Sequence, residues 1–342
     1  MSAVSLRALL RGGGVARLWR DPRYASLAVT VSLFVAMSVA GGVLYDGFLR
    51  PQVFLNLLID NSFLLIVAVG MTFVILTGGI DLSVGAVIAF STVLLASLVQ
   101  HHGWHPLPAI GAVLVLGTGF GALMGVLIER YRLQPFVVTL AGMFLARGAA
   151  TLVSVDSIGI DHAFHVAVAS LRIPLGGRTS ISAGALIALL VVAVGALLAA
   201  KTRFGRTVYA IGGNVLSAHL MGLPVERTLV QVYALSGFCS ALAGVVYTFY
   251  MLSGYSLHAT GLELDAIAAV VIGGTLLAGG SGYVLGTVFG VLVLGLIQTL
   301  IAFDGTLSSW WTRIAIGVLL LAFCLLQRLL ARTGPAGGGG HG

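Results

Sequence analysis

Charge is what this sequence has least of. Asp, Glu, Lys and Arg make up 8% of its 342 residues, against about 25% in an ordinary soluble domain. Lysine occurs once, at Lys201. The GxxxxGK[ST] loop that cradles nucleotide phosphates is absent, and so is HExxH. GxSxG is absent too; Gly279-Gly280-Ser281-Gly282 comes near it and reads better as a turn. There are two cysteines, Cys239 and Cys324, each inside an apolar run. They read as small hydrophobes rather than as a disulfide or a metal pair. The eight histidines fall mostly in loops or the tail, without the i, i+4 facing of a helical metal site. No metal, no cofactor and no catalytic residue are therefore expected. Acids within apolar runs are few, which argues against a proton relay.

Apolar residues fill the space that charge vacates. They make up 58% of the chain, and mean hydropathy is +1.08. No water-soluble core needs so much, so the fold class expected is an all-α polytopic membrane protein. Apolar runs at 25–45, 54–76, 84–99, 109–128, 136–153, 181–200, 229–252, 266–278, 283–303 and 310–326 give about ten transmembrane helices, each suited to ~30 Å of hydrocarbon. The first run has a rival as a signal peptide, with Ser38-Val39-Ala40 resembling a cleavage site, but it exceeds a signal core of about 7–15 residues. Residues 1–24 form a basic segment, 25–330 the membrane domain, and 331–342 a Gly-rich tail expected to be disordered.

The net charge of +7 would suggest nucleic acid in a soluble protein. Here its placement matters more. With the amino terminus in the cytoplasm, the loops on that side hold Arg7, Arg11, Arg17, Arg20, Arg23, Arg130, Arg132, Lys201, Arg203, Arg206, Arg227, Arg328 and Arg332. The opposite loops hold Arg50, Arg172 and Arg178. This bias puts both termini inside, gives an even number of spans, and makes lipid rather than nucleic acid the charged partner.

The apolar runs are broken in a repeated way. TGGIDLSVGAVIAF at 77–90 sets Asp81 between two apolar stretches, and GLELDAIAAV at 261–270 has the same order of glycine, apolar residue, acid and leucine. GTGFGAL at 117–123 is likewise echoed by GTVFGVL at 286–292. Each match lies five spans on, an odd offset, so the halves (roughly 54–153 and 229–330) are expected to run oppositely through the membrane. Such inverted repeats place a pathway between the halves. Candidate pathway residues along the broken helices are Thr72, Thr77, Asp81, Ser83 and Phe90 in the first half, and Asp265, Thr275, Gln298 and Thr299 in the second. The competing assignment for the acids and Ser83 is helix capping, and for the other polar residues helix packing. Gly117, Gly121 and Gly125, and Gly286 and Gly290, are spaced to let helix backbones approach closely. Trp310 and Trp311 read as interface anchors, with sugar stacking the alternative.

The loop TRFGRTVYAIGGNVLSAHLMGLPVERT at 202–228 suggests a turn, a short helix of about two turns and a second turn, a surface on which a partner could dock. At this point a resemblance becomes specific. Residues 56–328 resemble the permease subunit of ribose-type sugar importers of the ATP-binding-cassette class. GGIDLSVGAVIAF at 78–90, PFVVTLAGMFLARG at 135–148, TRFGRTVYAIGGN at 202–214 and ELDAIAAVVIGGTLLAGG at 263–280 carry it. Within that class IGGNVLSAHLMG at 211–222 and FDGTLSSWWTRIAIG at 303–317 are most similar to galactofuranose-importer permeases. The resemblance implies an inner-membrane dimer of permeases, homo- or heterodimeric. It also implies an ATP-binding subunit in the cytoplasm and a periplasmic sugar-binding protein. It further implies that Gly212, Gly213, Asn214, Ala218, His219, Gly222 and Pro224 belong to the loop that couples to the ATPase. His219 stands where the commoner pattern has alanine.

Overall fold

The computed structural model describes residues 22–333 apart from 178, 307 and 309. The basic segment at 1–21 and the tail at 334–342 lie outside the described residues. Among the described residues, fourteen helices account for nearly all regular structure: α1 (Pro22–Leu44), α2 (Pro51–Asp60), α3 (Ser62–Leu76), α4 (Val84–Gln100), α5 (Pro106–Tyr131), α6 (Pro135–Val153), α7 (Ala163–Ser170), α8 (Ala183–Lys201), α9 (Arg203–Gly213), α10 (Val215–Leu220), α11 (Val225–Met251), α12 (Leu262–Ile272), α13 (Val284–Asp304) and α14 (Trp310–Thr333). Six are long and apolar enough to cross a membrane. A seventh span arises if α2 and α3, bent by 60° at Asn61, count as one. α4 and the described part of α14 are shorter apolar helices. The chain is a multi-pass helical membrane protein.

Glycine and proline set the boundaries. Pro51, Pro106 and Pro135 stand at helix starts, where a missing N–H costs nothing. Gly78, with φ of +81°, turns the chain after α3, a conformation cheap only for glycine. α12 differs from the apolar run 266–278. It begins at Leu262, with Glu263 and Asp265 in its first turn, where carboxylates favour the positive end of the helix dipole. It then stops before Gly273 and Gly274, and the chain turns through 273–283 into α13.

α3 forms the centre. Nearly all of it is buried, from Ser62 through Leu76, because α11, α8, α12 and α13 all pack on it. A helix apolar all round is the kind that is enclosed on every side. The most extensive helix–helix contact is between α5 and α11. A Cβ on Gly121 would lie 2.2 Å from the Tyr233 carbonyl oxygen, and one on Gly237 would lie 2.2 Å from the Gly117 carbonyl oxygen. Backbones touch here, which is how helices associate in lipid, where apolar burial adds little. The second glycine motif packs differently: Gly286 and Gly290 of α13 meet Gly273 and Ala269 at the end of α12. The two motifs thus share a spacing and a role while choosing different partners.

The stretch 154–180 between the apolar runs 136–153 and 181–200 carries α7 and parts of two small antiparallel ladders. β1 (Ile158–Gly159) pairs with β4 (Ser253–Gly254), and β2 (Arg172–Gly176) pairs with β3 (Thr179–Ser182). These short pairings come from alternation too brief to stand out in sequence. β1 pairing with β4 ties this cap to the segment that enters α12.

Candidate functional site

Two broken elements meet inside the bundle. After α3 the chain turns back through 77–83 into α4. After α11 it re-enters through 252–261 into α12. The starts of α4 and α12 abut: a Cβ on Gly85 would lie 2.3 Å from Glu263 Oε2 and 2.7 Å from the Ala259 carbonyl oxygen. Gly85 therefore opens the space that the Glu263 carboxylate occupies. This is the arrangement of discontinuous helices whose N-termini face a shared site.

The two acids at these starts are handled differently. Asp81 is buried. Its Oδ1 accepts from the Ser83 N–H at 2.9 Å and the Ser83 hydroxyl at 2.7 Å, and its Oδ2 accepts from the Ser236 hydroxyl of α11 at 2.7 Å. Asp81 thus closes the turn before α4, while Ser83, at the N-cap position, turns its hydroxyl back to Asp81; neither side chain bonds a backbone N–H of α4, so the capping expected of them is not made. Glu263 Oε2 is buried and accepts no hydrogen bond. Arg147 of α6, which interacts electrostatically with Glu263, donates instead to the carbonyls of Ser256 and His258 at 2.7 and 2.8 Å. It straps the re-entrant segment to α6.

The other candidate pathway residues divide between packing and an open cavity. Thr72, Thr77 and Thr275 are buried. The Thr72 hydroxyl pairs with that of Thr287 at 2.7 Å, joining α3 to α13. Thr77 donates to the Val74 carbonyl at the end of α3, and Thr275 packs against Gly282. Thr299 donates to Gly295 within its own helix, and Phe90 is half-buried on α4. Asp265 and Gln298, by contrast, line a cavity of about 480 Å³ between α12, α13 and α14, together with Thr312 and Arg313. The Arg313 charge acts on Asp265, and its guanidinium lies 5.4 Å over the Trp310 ring. Volume and lining suit a small polar ligand. The sequence marks Arg313 as a cation in or near a span but not as lining a cavity, and it gives no sign for Thr312; WWTR, a cation next to aromatics in an apolar run, is the available signal.

The 202–228 loop is more helical than a single short helix with two turns. α9 buries Gly205, Val208 and Ile211 and exposes Arg203 and Arg206. A Cβ on Gly212 would lie 1.8 Å from the Leu76 carbonyl oxygen. The Tyr209 hydroxyl donates to the Gly282 carbonyl at 2.8 Å, and the Gly280 N–H donates to Leu76 at 2.9 Å. α9 is thus keyed both to the end of α3 and to the 273–283 turn. Gly213 is open, and Asn214 caps α10 by accepting from the Ser217 N–H at 2.8 Å. Ala218 is buried, whereas His219 and Pro224 are exposed and Gly222 makes the closing turn at φ +72°. Leu216, Leu220 and Met221 are 69%, 82% and 65% exposed, an apolar surface that nothing in this chain covers among the described residues.

A bundle of this build, with broken helices meeting inside and a helical loop keyed to the end of α3 and to the turn before α13, fits a membrane permease. Residues 53–324 match the family described as the branched-chain amino acid transport system / permease component, and the chain belongs to that family. Among curated proteins it is similar to the inner membrane ABC transporter permease protein YjfF of Escherichia coli, 54% identical over 90% of this chain and 92% of that one. It is also similar to the fructose import permease protein FruG of Bifidobacterium longum, 43% identical over 92% and 94%. The ribose import permease protein RbsC of Bacillus subtilis is 38% identical over 91% and 95%. No solved structure matches the chain.

Proposed function

We propose that this chain is the translocation subunit of an ATP-driven importer in a bacterial inner membrane, carrying a monosaccharide, galactofuranose first among the candidates. One observation carries the reading. α10 presents uncovered apolar side chains, and α9 links it through Gly212, Tyr209 and Gly280 to both the α3 end and the turn before α13. A push on α10 by an ATP-binding subunit therefore reaches the end of α3, where the first break begins, and the turn between α12 and α13, through close contacts that resist compression. Relatives named as fructose and ribose import permeases support a sugar cargo.

In this reading the chain makes ten spans with both termini cytoplasmic. The two halves form an inverted repeat, and a second permease, identical or different, completes the pathway. The lysine and arginine bias supports the orientation. Sugar enters from a periplasmic binding protein, and the cavity holding Asp265, Gln298, Thr312 and Arg313 offers the planar polar groups that hydroxyls bind.

Uptake by proteoliposomes tests the proposal. Labelled galactofuranose is expected to accumulate only with ATP, the ATP-binding subunit and the binding protein, and faster than ribose or fructose. Accumulation by the chain alone would refute it. Glu263 Oε2, buried without a bond, is the one feature that favours an ion-coupled carrier instead. Glu263→Gln with uptake intact would dispose of that alternative.

A further inference from the structure

The aromatic rings of this protein fall into two sets. Phe48, Phe73 and Tyr233 are fully buried and fill the core. Each member of the second set keeps part of its surface exposed: Phe63 on α3, Tyr247 and Tyr250 on α11, and Tyr255 and His258 on the re-entrant segment 252–261. These five touch one after another. Phe63 meets Tyr250 at 6.2 Å between ring centroids and Tyr247 at 4.7 Å, Tyr247 meets His258 at 4.8 Å, and His258 meets Tyr255 at 5.7 Å. The planes cross at 53°, 73°, 52° and 85° in that order, so no two rings stack face to face.

Both ends of this track are polar. At the outer end the Tyr250 hydroxyl donates to the exposed Asp60 at 3.2 Å, and the Arg172 charge acts on Asp60. At the inner end the His258 carbonyl accepts from Arg147. Arg147 and Glu263 act on each other there without forming an ion pair. Along the track, the Tyr247 and Tyr255 hydroxyls make no hydrogen bond among the described residues. A belt of aromatic rings at the lipid headgroups would also be half-exposed. Two features separate this set from a belt. Its rings touch across three elements, and its inner end reaches Arg147 and Glu263. Ionised side chains within a membrane bundle face its interior or a water-filled passage, not hydrocarbon.

We propose that these rings form an entry track for a monosaccharide in its cyclic form, leading from the periplasmic rim down the re-entrant segment; this rests on the importer reading above. A cyclic sugar has a face of C–H groups and an edge of hydroxyls. The C–H face packs on the electron-rich face of an aromatic ring, and the edge meets the free hydroxyls of Tyr247 and Tyr255. Apolar faces with a few placed polar groups are what a neutral small ligand needs. An open-chain polyol carries hydroxyls but no rigid apolar face, so the track rejects it.

The test uses the full chain in nanodiscs for binding and the complete importer in proteoliposomes for uptake. Saturating the aromatic protons of wild type is expected to transfer magnetisation to the C–H protons of galactofuranose and not to galactitol, which holds its hydroxyls on an open chain. Tyr247→Leu and Tyr255→Leu are each expected to weaken the transfer and to slow uptake by roughly tenfold, the worth of one aromatic contact. Tyr247→Phe keeps the ring face and is expected to retain most of both. Melting temperature and retention of the ATP-binding subunit are expected to match wild type in all three. Leucine variants with wild-type transfer and uptake overturn the proposal, as does wild type that transfers nothing to galactofuranose. So does transfer to galactitol as strong as to the sugar. Equal losses in Tyr247→Leu and Tyr247→Phe, with a lower melting temperature, also overturn it and make the rings packing alone. Wild-type proteoliposomes that move no sugar would instead refute the importer reading, while transfer to galactofuranose in nanodiscs would still report on the rings.

Discussion

The two breakers are alike in sequence and unlike in chemistry. In the first, Asp81 receives three hydrogen bonds, one of them from Ser236 across the bundle on α11. In the second, Glu263 sits one methylene further out, reaches the hollow at Gly85, and leaves Oε2 unbonded. The extra reach and the absence of a serine two residues on explain the difference: position 265 is Asp, which can offer no donor to a neighbouring carboxylate when ionised. One breaker is therefore a closed joint. The other keeps an acid available beside Arg147, whose own donors hold the re-entrant backbone.

Four experiments would break or sharpen this contrast. Gly85→Leu has the largest expected effect. Its side chain would overlap both Glu263 and the backbone at Ala259, so uptake should vanish and folded yield in detergent should fall. Asp81→Ala comes next. It strands three buried donors, each costing about 1–3 kcal/mol when left unsatisfied, and a melting temperature lowered by several degrees would register it. Wild-type melting after Asp81→Ala would show the joint is not closed as described.

The cap over the second breaker supplies the third experiment. His165 of α7 is fully buried against the last turn of α11, 3.4 Å from the Thr248 hydroxyl. Burial, and then the neighbouring His162, depress its pKa from 6.5 to about 4. The unfolded state binds the proton first, so stability is complete above about pH 6.5 and falls between there and about 4. The loss is at most roughly 3 kcal/mol. Melting of wild type should decline over that window, and His165→Phe should flatten the profile. The smallest effect belongs to Glu263→Gln. With no bond to Oε2 to lose, its melting temperature should move by a degree or so, far less than for Asp81→Ala. A drop as large as that of Asp81→Ala would erase the contrast.

Much of this was legible before any coordinates. Composition alone required helices in a membrane, since so few charges could not clothe a soluble surface. The break at Gly78 and Gly79 and the start of α4 stand where the glycines predict them, although Asp81 bonds Ser83 and not an N–H of the helix. Other features were not legible. Thr72 reads as pathway in the sequence and is bonded to Thr287, 215 positions on, while Arg313, legible as a cation in or near a span, lines the cavity with Asp265. A polar residue in an apolar helix carries the same local signal whether it faces a neighbour or a void.

By itself, then, the chain determined that it is helical, where its helices break and which residues sit at the breaks, because propensity and hydropathy act over a few residues at a time. Only the tertiary structure decided that the two breaks meet, that Ser236 closes one of them and Gly85 hollows the other, and that α9 leans on the end of α3 and on the turn before α13. Those outcomes depend on which surfaces face each other across the bundle, and no short stretch of sequence encodes its distant neighbour.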